Sequence, residues 1–206
     1  MLLNASLLLT FISICLHNQA FYGIFQRSVD VLNQLNGDQN AKNSIRNLII
    51  YHNMVKDWFL ETSDVYGVYI LAQLVFSMLF LACVVFQLDL EFQHIDFNIL
   101  TLLMAATISG LNLFLYCYYG KLATESFLSM GDCLYESNWQ DLPIQLQQHL
   151  RFMINYMQLP IYYRGWNLKI ATLNLETFIT LIKTVVTNYM MFKTITADST
   201  NSQFCK

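Results

Sequence analysis

Long runs without charged side chains constrain this chain more than any other feature of its sequence. Residues 1–25, 65–88 and 97–120 contain no Asp, Glu, Lys or Arg, and residues 174–195 form a fourth apolar run with Lys183 well inside it. A helix of about 20 residues crosses the roughly 30 Å of hydrocarbon in a bilayer. Hydrophobic residues make up 55% of the chain and charged residues only 12%, which is too apolar for a soluble domain. The sequence therefore predicts an all-α, polytopic membrane bundle with four spanning helices.

The first apolar run has an alternative interpretation as a signal peptide. Leu7 to Leu16 would be its apolar region, with cleavage near Ala20. The positively charged segment that begins a signal peptide is missing, so we favour a membrane span. Asn4-Ala5-Ser6 matches a glycosylation acceptor, but it lies so close to the bilayer that we treat the match as chance.

Two polar regions separate the spans, and both have apolar residues at helical spacing. Residues 26–64 are predicted to form a cytoplasmic helix that continues into the second span. Its apolar stripe consists of Ile45, Leu48, Ile49, His52, Val55 and Phe59. Residues 121–172 are predicted to extend the third span into the cytoplasm. They add an amphipathic helix that starts at Pro143, carries the stripe Leu146, Leu150, Met153 and Met157, and is followed by a turn or hairpin over 161–172.

The basic residues predict how the chain is oriented in the membrane. The connections after the first and the third span lie on the same side, because two crossings separate them, and the connection over 89–96 on the other side contains no Lys or Arg. The basic residues in the two connections are Arg27, Lys42, Arg46, Lys56, Lys121, Arg151, Arg164 and Lys169. Positively charged loops stay in the cytoplasm. The tail over residues 196–206 is then extracellular.

Several classes of function are disfavoured. The net charge is -3 and no basic patch is present, so no nucleic-acid partner is expected. The four histidines fall on different segments, and the five cysteines are widely spaced. No metal-ligand spacing, nucleophile motif or phosphate-binding glycine loop stands out, so we expect neither an enzyme nor a metal or other cofactor.

The last apolar run carries a polar stripe that is suited to a pore. Its residues follow spacings of 4, 3, 4 and 3, which place four hydroxyls and one thioether on one helical face: Thr180, Thr184, Thr187, Met191 and Thr194. Copies arranged around an axis would turn this face toward water, with Met191 as an apolar ring. Alternatively, the threonines bond to carbonyls one turn earlier and only pack against neighbouring helices. Lys183 marks either a polar pathway or a side chain that snorkels to the interface.

Three motifs resemble the insect odorant receptor family. They are YCYYG at 116–120, YESNW at 135–139 and LNLETFITLIK at 173–183. Ile49-Ile50-Tyr51-His52 and Phe86-Gln87-Leu88 also look like the family, so the resemblance covers essentially the whole chain. It implies seven spanning helices, of which the four here are the fourth to the seventh. The chain would then be a fragment, a truncated gene product or a degenerate copy that lacks three N-terminal spans.

The resemblance also implies a function. Family members form heterotetramers with an odorant co-receptor subunit and act as odorant-gated, non-selective cation channels in the plasma membrane of olfactory sensory neuron dendrites. The last span would line the pore at residues 174–195, with its constriction at Met191 and Thr194 one turn outward. Lys183 would then lie in the vestibule, and the cytoplasmic helices, including Ile144 to Gln158, would anchor the subunits together.

Small volatile odorants would bind in the outer half of the bundle. Candidate contacts are Phe11 on the first span and Met104, Thr107 and Ile108 on the third, although Met104 and Ile108 are equally compatible with a lipid-facing position. The alternatives for the whole chain are a non-functional receptor relic, a gustatory-receptor-like subunit and a membrane subunit that does not conduct.

Overall fold

The computed structural model describes residues 2–34, 38–91, 97–163 and 172–204, which form five α-helices and no β-strand. The helices are α1 (Leu2–Gln34), α2 (Asp38–Glu91), α3 (Phe97–Tyr135), α4 (Ile144–Met157) and α5 (Leu175–Phe204), and a single 3-10 turn at Trp139–Asp141 precedes α4. The predicted all-α architecture is confirmed. The predicted hairpin over 161–172 falls mostly outside the described residues. Its two ends are joined by a hydrogen bond of 3.0 Å from the Leu173 N–H to the Tyr163 carbonyl.

The helices are longer than the apolar runs from which they were predicted. α2 runs for 54 residues from the polar region into the second span, and α3 continues past the third span to Tyr135. No proline lies before position 143, so nothing in these segments removes a helical hydrogen bond. Pro143 lies at the N-cap of α4, one residue before the position predicted for it. Its carbonyl accepts the N–H groups of Leu146 and Gln147.

Three helices are long and apolar enough to cross a membrane, within the segments Ser6–Gln34, Asn40–Leu88 and Ile99–Tyr135. The chain is therefore a membrane protein with three candidate spans. α5 does not reach the same mean hydropathy, because its threonines, Asn188 and two lysines interrupt the apolar residues. The fourth predicted span is not confirmed by this criterion.

Buried side chains form two clusters, one above the other along the bundle. The first joins α1, α2, α3 and α5 and includes Phe11, Cys15, Ile70, Leu113 and Val185. The second joins α1, α2, α3 and α4. Seven of the ten residues in the predicted apolar stripes are buried in one of these clusters, and Ile49 and Leu146 are partly buried. His52, the remaining residue of the stripes, is also buried, with 2% of its surface exposed.

Two glycines of α3 allow close packing against the segments that follow. A Cβ atom on Gly120 would overlap the Leu173 side chain and lie 3.1 Å from the Leu173 carbonyl oxygen. At Gly131 a Cβ would lie 3.1 Å from the Met157 Cβ. The residue before α5 and the end of α4 are thus held against α3 at positions where no side chain intervenes.

Candidate functional site

α5 begins at a well-formed cap formed by Asn174. The Asn174 side-chain oxygen accepts the Thr177 N–H at 2.7 Å, and the Asn174 carbonyl accepts the Phe178 N–H at 3.2 Å. Glu176 lies in the first turn, where the helix dipole favours a carboxylate. The position at which α5 starts is therefore fixed by local hydrogen bonds.

One face of α5 packs against the rest of the bundle. Val185 is buried, and Phe178, Leu181 and Phe192 pack against the first cluster. Phe178 meets Phe114 of α3 at a ring-centroid distance of 5.5 Å, and Phe192 meets Phe86 of α2 at 5.9 Å. These contacts orient the helix around its own axis.

The predicted polar stripe lies on another face of α5, which is turned away from the bundle. At about 100° per residue it is centred roughly 130° around the helix from the packed face. Thr180, Thr187, Met191 and Thr194 are exposed, and Thr184 is partly exposed. The described part of the chain therefore offers this stripe no helix to pack against.

All four hydroxyls of the stripe bond back to their own helix. Thr180 donates to the Glu176 carbonyl at 2.9 Å, Thr184 to Thr180 at 2.9 Å, Thr187 to Lys183 at 3.0 Å and Thr194 to Met191 at 2.8 Å. The sequence analysis left open that the threonines bond to carbonyls one turn earlier and pack against neighbouring helices. The hydrogen bonds are present, but the described helices do not cover this face. A hydroxyl that donates to a carbonyl keeps its lone pairs for water or for an ion.

The other predicted pore residues are accessible as well. Met191 is 50% exposed, and Lys183 is exposed and lies beside the stripe. Lys193 is engaged with Tyr189, whose ring centroid lies 5.7 Å from the Lys193 Nζ.

The four predicted odorant contacts do not lie together. Phe11 is completely buried, with its ring 5.4 Å from Tyr116 and 5.5 Å from Tyr163. Met104, Thr107 and Ile108 lie two to three turns from Tyr116 along α3 and are exposed. Their assignment to an odorant pocket stays a prediction.

Asn18 and His52 each have a buried polar atom without a hydrogen-bond partner in the described part of the chain. Sequence reasoning gave Asn18 no role and placed His52 only in the apolar stripe of α2. Asn18 donates from Nδ2 to the Tyr163 hydroxyl at 3.3 Å, and its Oδ1 has no hydrogen-bond partner in the described part of the chain. Asn18 and Tyr163 are 145 positions apart, so no local sequence pattern could have paired them. The only sequence feature that indicated burial of Asn18 was the lack of charged residues on either side of it in the first apolar run.

His52 lies where α2, α3 and α4 meet, in the part of α2 that precedes the second span. Its ring is 4.9 Å from Phe127 and 6.1 Å from Tyr156. Burial lowers the pKa of His52 to about 4, the positive charge of Lys56 adds to this effect, and a hydrogen bond with Asn53 opposes it. His52 also lines a groove of about 600 Å³ between α2 and α4, together with the exposed side chains of His149 and Phe152.

Comparison with known proteins identifies the family. The 7tm Odorant receptor family profile matches residues 1–186, from the first helix to the middle of α5. Odorant receptor 82a of Drosophila melanogaster is 20% identical over 188 residues, covering 90% of this chain and 47% of that receptor. The chain thus spans about half the length of the curated relative it matches. Nothing in these comparisons indicates an enzyme. Because the family profile matches most of its length, this chain belongs to the 7tm Odorant receptor family.

Proposed function

We propose that this chain is the C-terminal part of an odorant receptor subunit, and that α5 lines the pore of an odorant-gated, non-selective cation channel. The observation that carries the proposal is the polar stripe of α5. Four threonines and Met191 share one face, and that face is turned away from the helices to which α5 is packed. Water or a symmetry-related α5 is the natural neighbour of such a face in a membrane.

The chemistry of the stripe suits permeating cations. Each threonine hydroxyl donates a hydrogen bond to a carbonyl of its own helix and keeps its oxygen lone pairs for other partners, so the face offers partial negative charge without a fixed anion. Met191 interrupts the hydroxyls with an apolar group. A ring of such groups can close a pore by excluding water, which would make Met191 the gate and Thr194 its outer neighbour.

The partner and the ligand follow from the family resemblance. A single α5 cannot enclose a pore, so the chain requires other subunits, and we propose the odorant co-receptor as the partner in a heterotetramer. A small volatile odorant would open the channel by binding the open arrangement more tightly than the closed one. Met104, Thr107 and Ile108, exposed on α3, are proposed as odorant contacts on the third span, and Phe11, buried in the first cluster, is proposed as a separate contact on the first span. The fully assembled channel would lie in the plasma membrane of sensory neuron dendrites.

Current recording from cells that express the co-receptor tests the proposal. The chain is expressed alone and grafted onto the N-terminal half of a working odorant receptor, and Met191→Ala is compared with Met190→Ala. Both methionines are about half exposed, but only Met191 belongs to the stripe. We expect the graft to conduct, and we expect Met191→Ala alone to raise the leak current or alter ion permeability.

Two outcomes would contradict parts of the proposal. A graft that reaches the surface but never conducts, while the parent receptor does, would identify the chain as a non-functional relic or a subunit that does not conduct. A conducting graft in which Met191→Ala and Met190→Ala behave alike would retain the channel but reject this face as its pore.

A further inference from the structure

Tyr163 connects three parts of the fold, which are α1, α2 and the residue before the cap of α5. Its side chain is completely buried, although it lies in the segment between α4 and α5 rather than in a helix. The ring stacks on Phe59 of α2 at a centroid distance of 4.2 Å and meets the edge of Phe11 of α1 at 5.5 Å. Its hydroxyl accepts a hydrogen bond from Asn18 of α1, and its carbonyl accepts the Leu173 N–H.

Leu173 carries this connection to the pore helix. It is completely buried against Gly120 of α3, where a Cβ would overlap the Leu173 side chain. The next residue is Asn174, whose side chain and carbonyl cap α5. The hydrogen bond to Tyr163 and the cap of α5 therefore lie on adjacent residues.

The contact between Asn18 and Tyr163 is polar and lies within a hydrophobic cluster. Asn18 is 3% exposed, and its neighbours in the first cluster are mainly aromatic and aliphatic. If its amide is turned over, Oδ1 faces the Tyr163 hydroxyl and the hydroxyl donates the bond, so either orientation joins the same two side chains. A buried polar group that loses its partner is costly, and the pair therefore favours one register between α1 and the segment before α5.

We propose that Tyr163 is a positioning residue that holds the first turn of α5 in a fixed place relative to α1, through its hydroxyl at one end and its carbonyl at the other. A displacement of α1 would then move the start of α5. This inference rests on the proposed function for its consequence in gating, but the contact itself can be tested without any current.

Hydrogen exchange of the full chain in lipid nanodiscs provides that test. Tyr163→Phe keeps the ring and removes the hydroxyl. We expect the Thr177 and Phe178 amides, which are bonded to the cap, to exchange roughly five- to tenfold faster, as expected for the loss of one hydrogen bond of ordinary net strength. Amides in the second half of α5 should not change.

Tyr116→Phe is the matched control. Tyr116 is also buried in the first cluster and touches Phe11. Its hydroxyl lies 3.3 Å from the Tyr69 hydroxyl, and no hydrogen bond joins it to the described residues before α5. If Tyr163 only stabilises the first cluster, Tyr163→Phe and Tyr116→Phe should change amide exchange at the cap of α5 equally. Equal exchange in the two variants, or an unchanged cap in Tyr163→Phe, would overturn the proposal.

A double variant separates positioning from stability. Asn18→Leu with Tyr163→Phe removes both polar groups, so no orphaned donor or acceptor remains and the thermal unfolding midpoint should return toward that of the unmodified chain. The α5 cap should still exchange faster. If the cap regains its protection together with the midpoint, Tyr163 stabilises the fold without positioning α5.

The conducting graft supplies the functional arm. There, Tyr163→Phe should shift the midpoint of the odorant response severalfold without changing surface expression or ion permeability, whereas Tyr116→Phe should not. If the unmodified graft does not conduct, the pore proposal fails, while the exchange measurement still decides the role of Tyr163.

Discussion

Gly120 is the residue at which α3 comes closest to the segment before α5. We expect Gly120→Ala to lower the free energy of unfolding by about 1–3 kcal/mol, because the new methyl group overlaps Leu173 and the fully buried Leu173 has little room to move. The measurement is the thermal unfolding midpoint of the detergent-solubilised protein.

Gly110 is the matched control for this substitution. A Cβ at Gly110 meets nothing within 4 Å, so Gly110→Ala should be neutral or should stabilise the helix by up to about 1 kcal/mol. Equal midpoints for the two alanine variants would show that Leu173 does not pack against α3 as described.

His52 makes the stability of the second cluster depend on pH. Its pKa is about 4 in the folded chain and about 6.5 when unfolded. Between these values the unfolded chain binds a proton that the folded chain does not, so the free energy of unfolding falls as the pH is lowered through this window. The loss amounts to at most about 3 kcal/mol, and His52 contributes nothing to the pH dependence above the window.

His52→Phe tests this pH dependence, since phenylalanine fills a similar volume beside Phe127 and has no proton to bind. We expect its unfolding midpoint to fall less than that of the unmodified chain between pH 6.5 and pH 4. His149→Phe, at an exposed position in the same groove, should retain the original pH dependence. A parallel fall in His52→Phe would assign the effect to other groups.

Among the elements, α5 gives the clearest distinction between a packed face and a free one. We expect Thr184→Cys in the conducting graft to react with a charged, water-soluble thiol reagent at least about tenfold faster than Val185→Cys, because thiol reactivity follows access to water. Val185 is 6% exposed and faces the first cluster. The measurement is the rate at which the reagent changes the current, with the unmodified graft as the background for native cysteines.

Helical periodicity and end signals predicted most of the elements. The stripe over α2 and the cap at Asn174 depend on side chains within a few residues of each other, so they can be recognised from spacing. The sequence did not predict that α1 runs on to Gln34, because a change from apolar to polar residues does not by itself end a helix. It also suggested an end near Ile195, whereas α5 continues to Phe204.

Contacts between distant segments could not be predicted in the same way. The spacing of the threonines indicated a shared face, but only packing decides whether that face is covered, and here Val185 and its neighbours settle the orientation of α5. The pairing of Asn18 with Tyr163 depends on how the segment after α4 returns to the bundle. No residue near either partner in the sequence encodes that return.

On the scale of the whole molecule, the placement of α5 relative to the membrane decides whether its threonine stripe can line a pore. Its hydropathy alone does not separate a spanning helix from one that lies at the interface, because the polar stripe lowers the mean value in either case. Packing favours a spanning helix, since α5 shares the first cluster with α1, α2 and α3 along much of its length. For a spanning α5, the distribution of basic residues predicts an extracellular C-terminus.

Epitope tags in the conducting graft decide between these topologies. A tag after Lys206 should bind antibody on intact cells, because α5 would cross the membrane outward from the cytoplasmic side of α4. A tag between α1 and α2, in the connection bordered by Arg27 and Lys42, should bind antibody only after permeabilisation. If the C-terminal tag also requires permeabilisation, α5 does not span, and a pore lined by its threonine stripe is ruled out whatever current the graft carries.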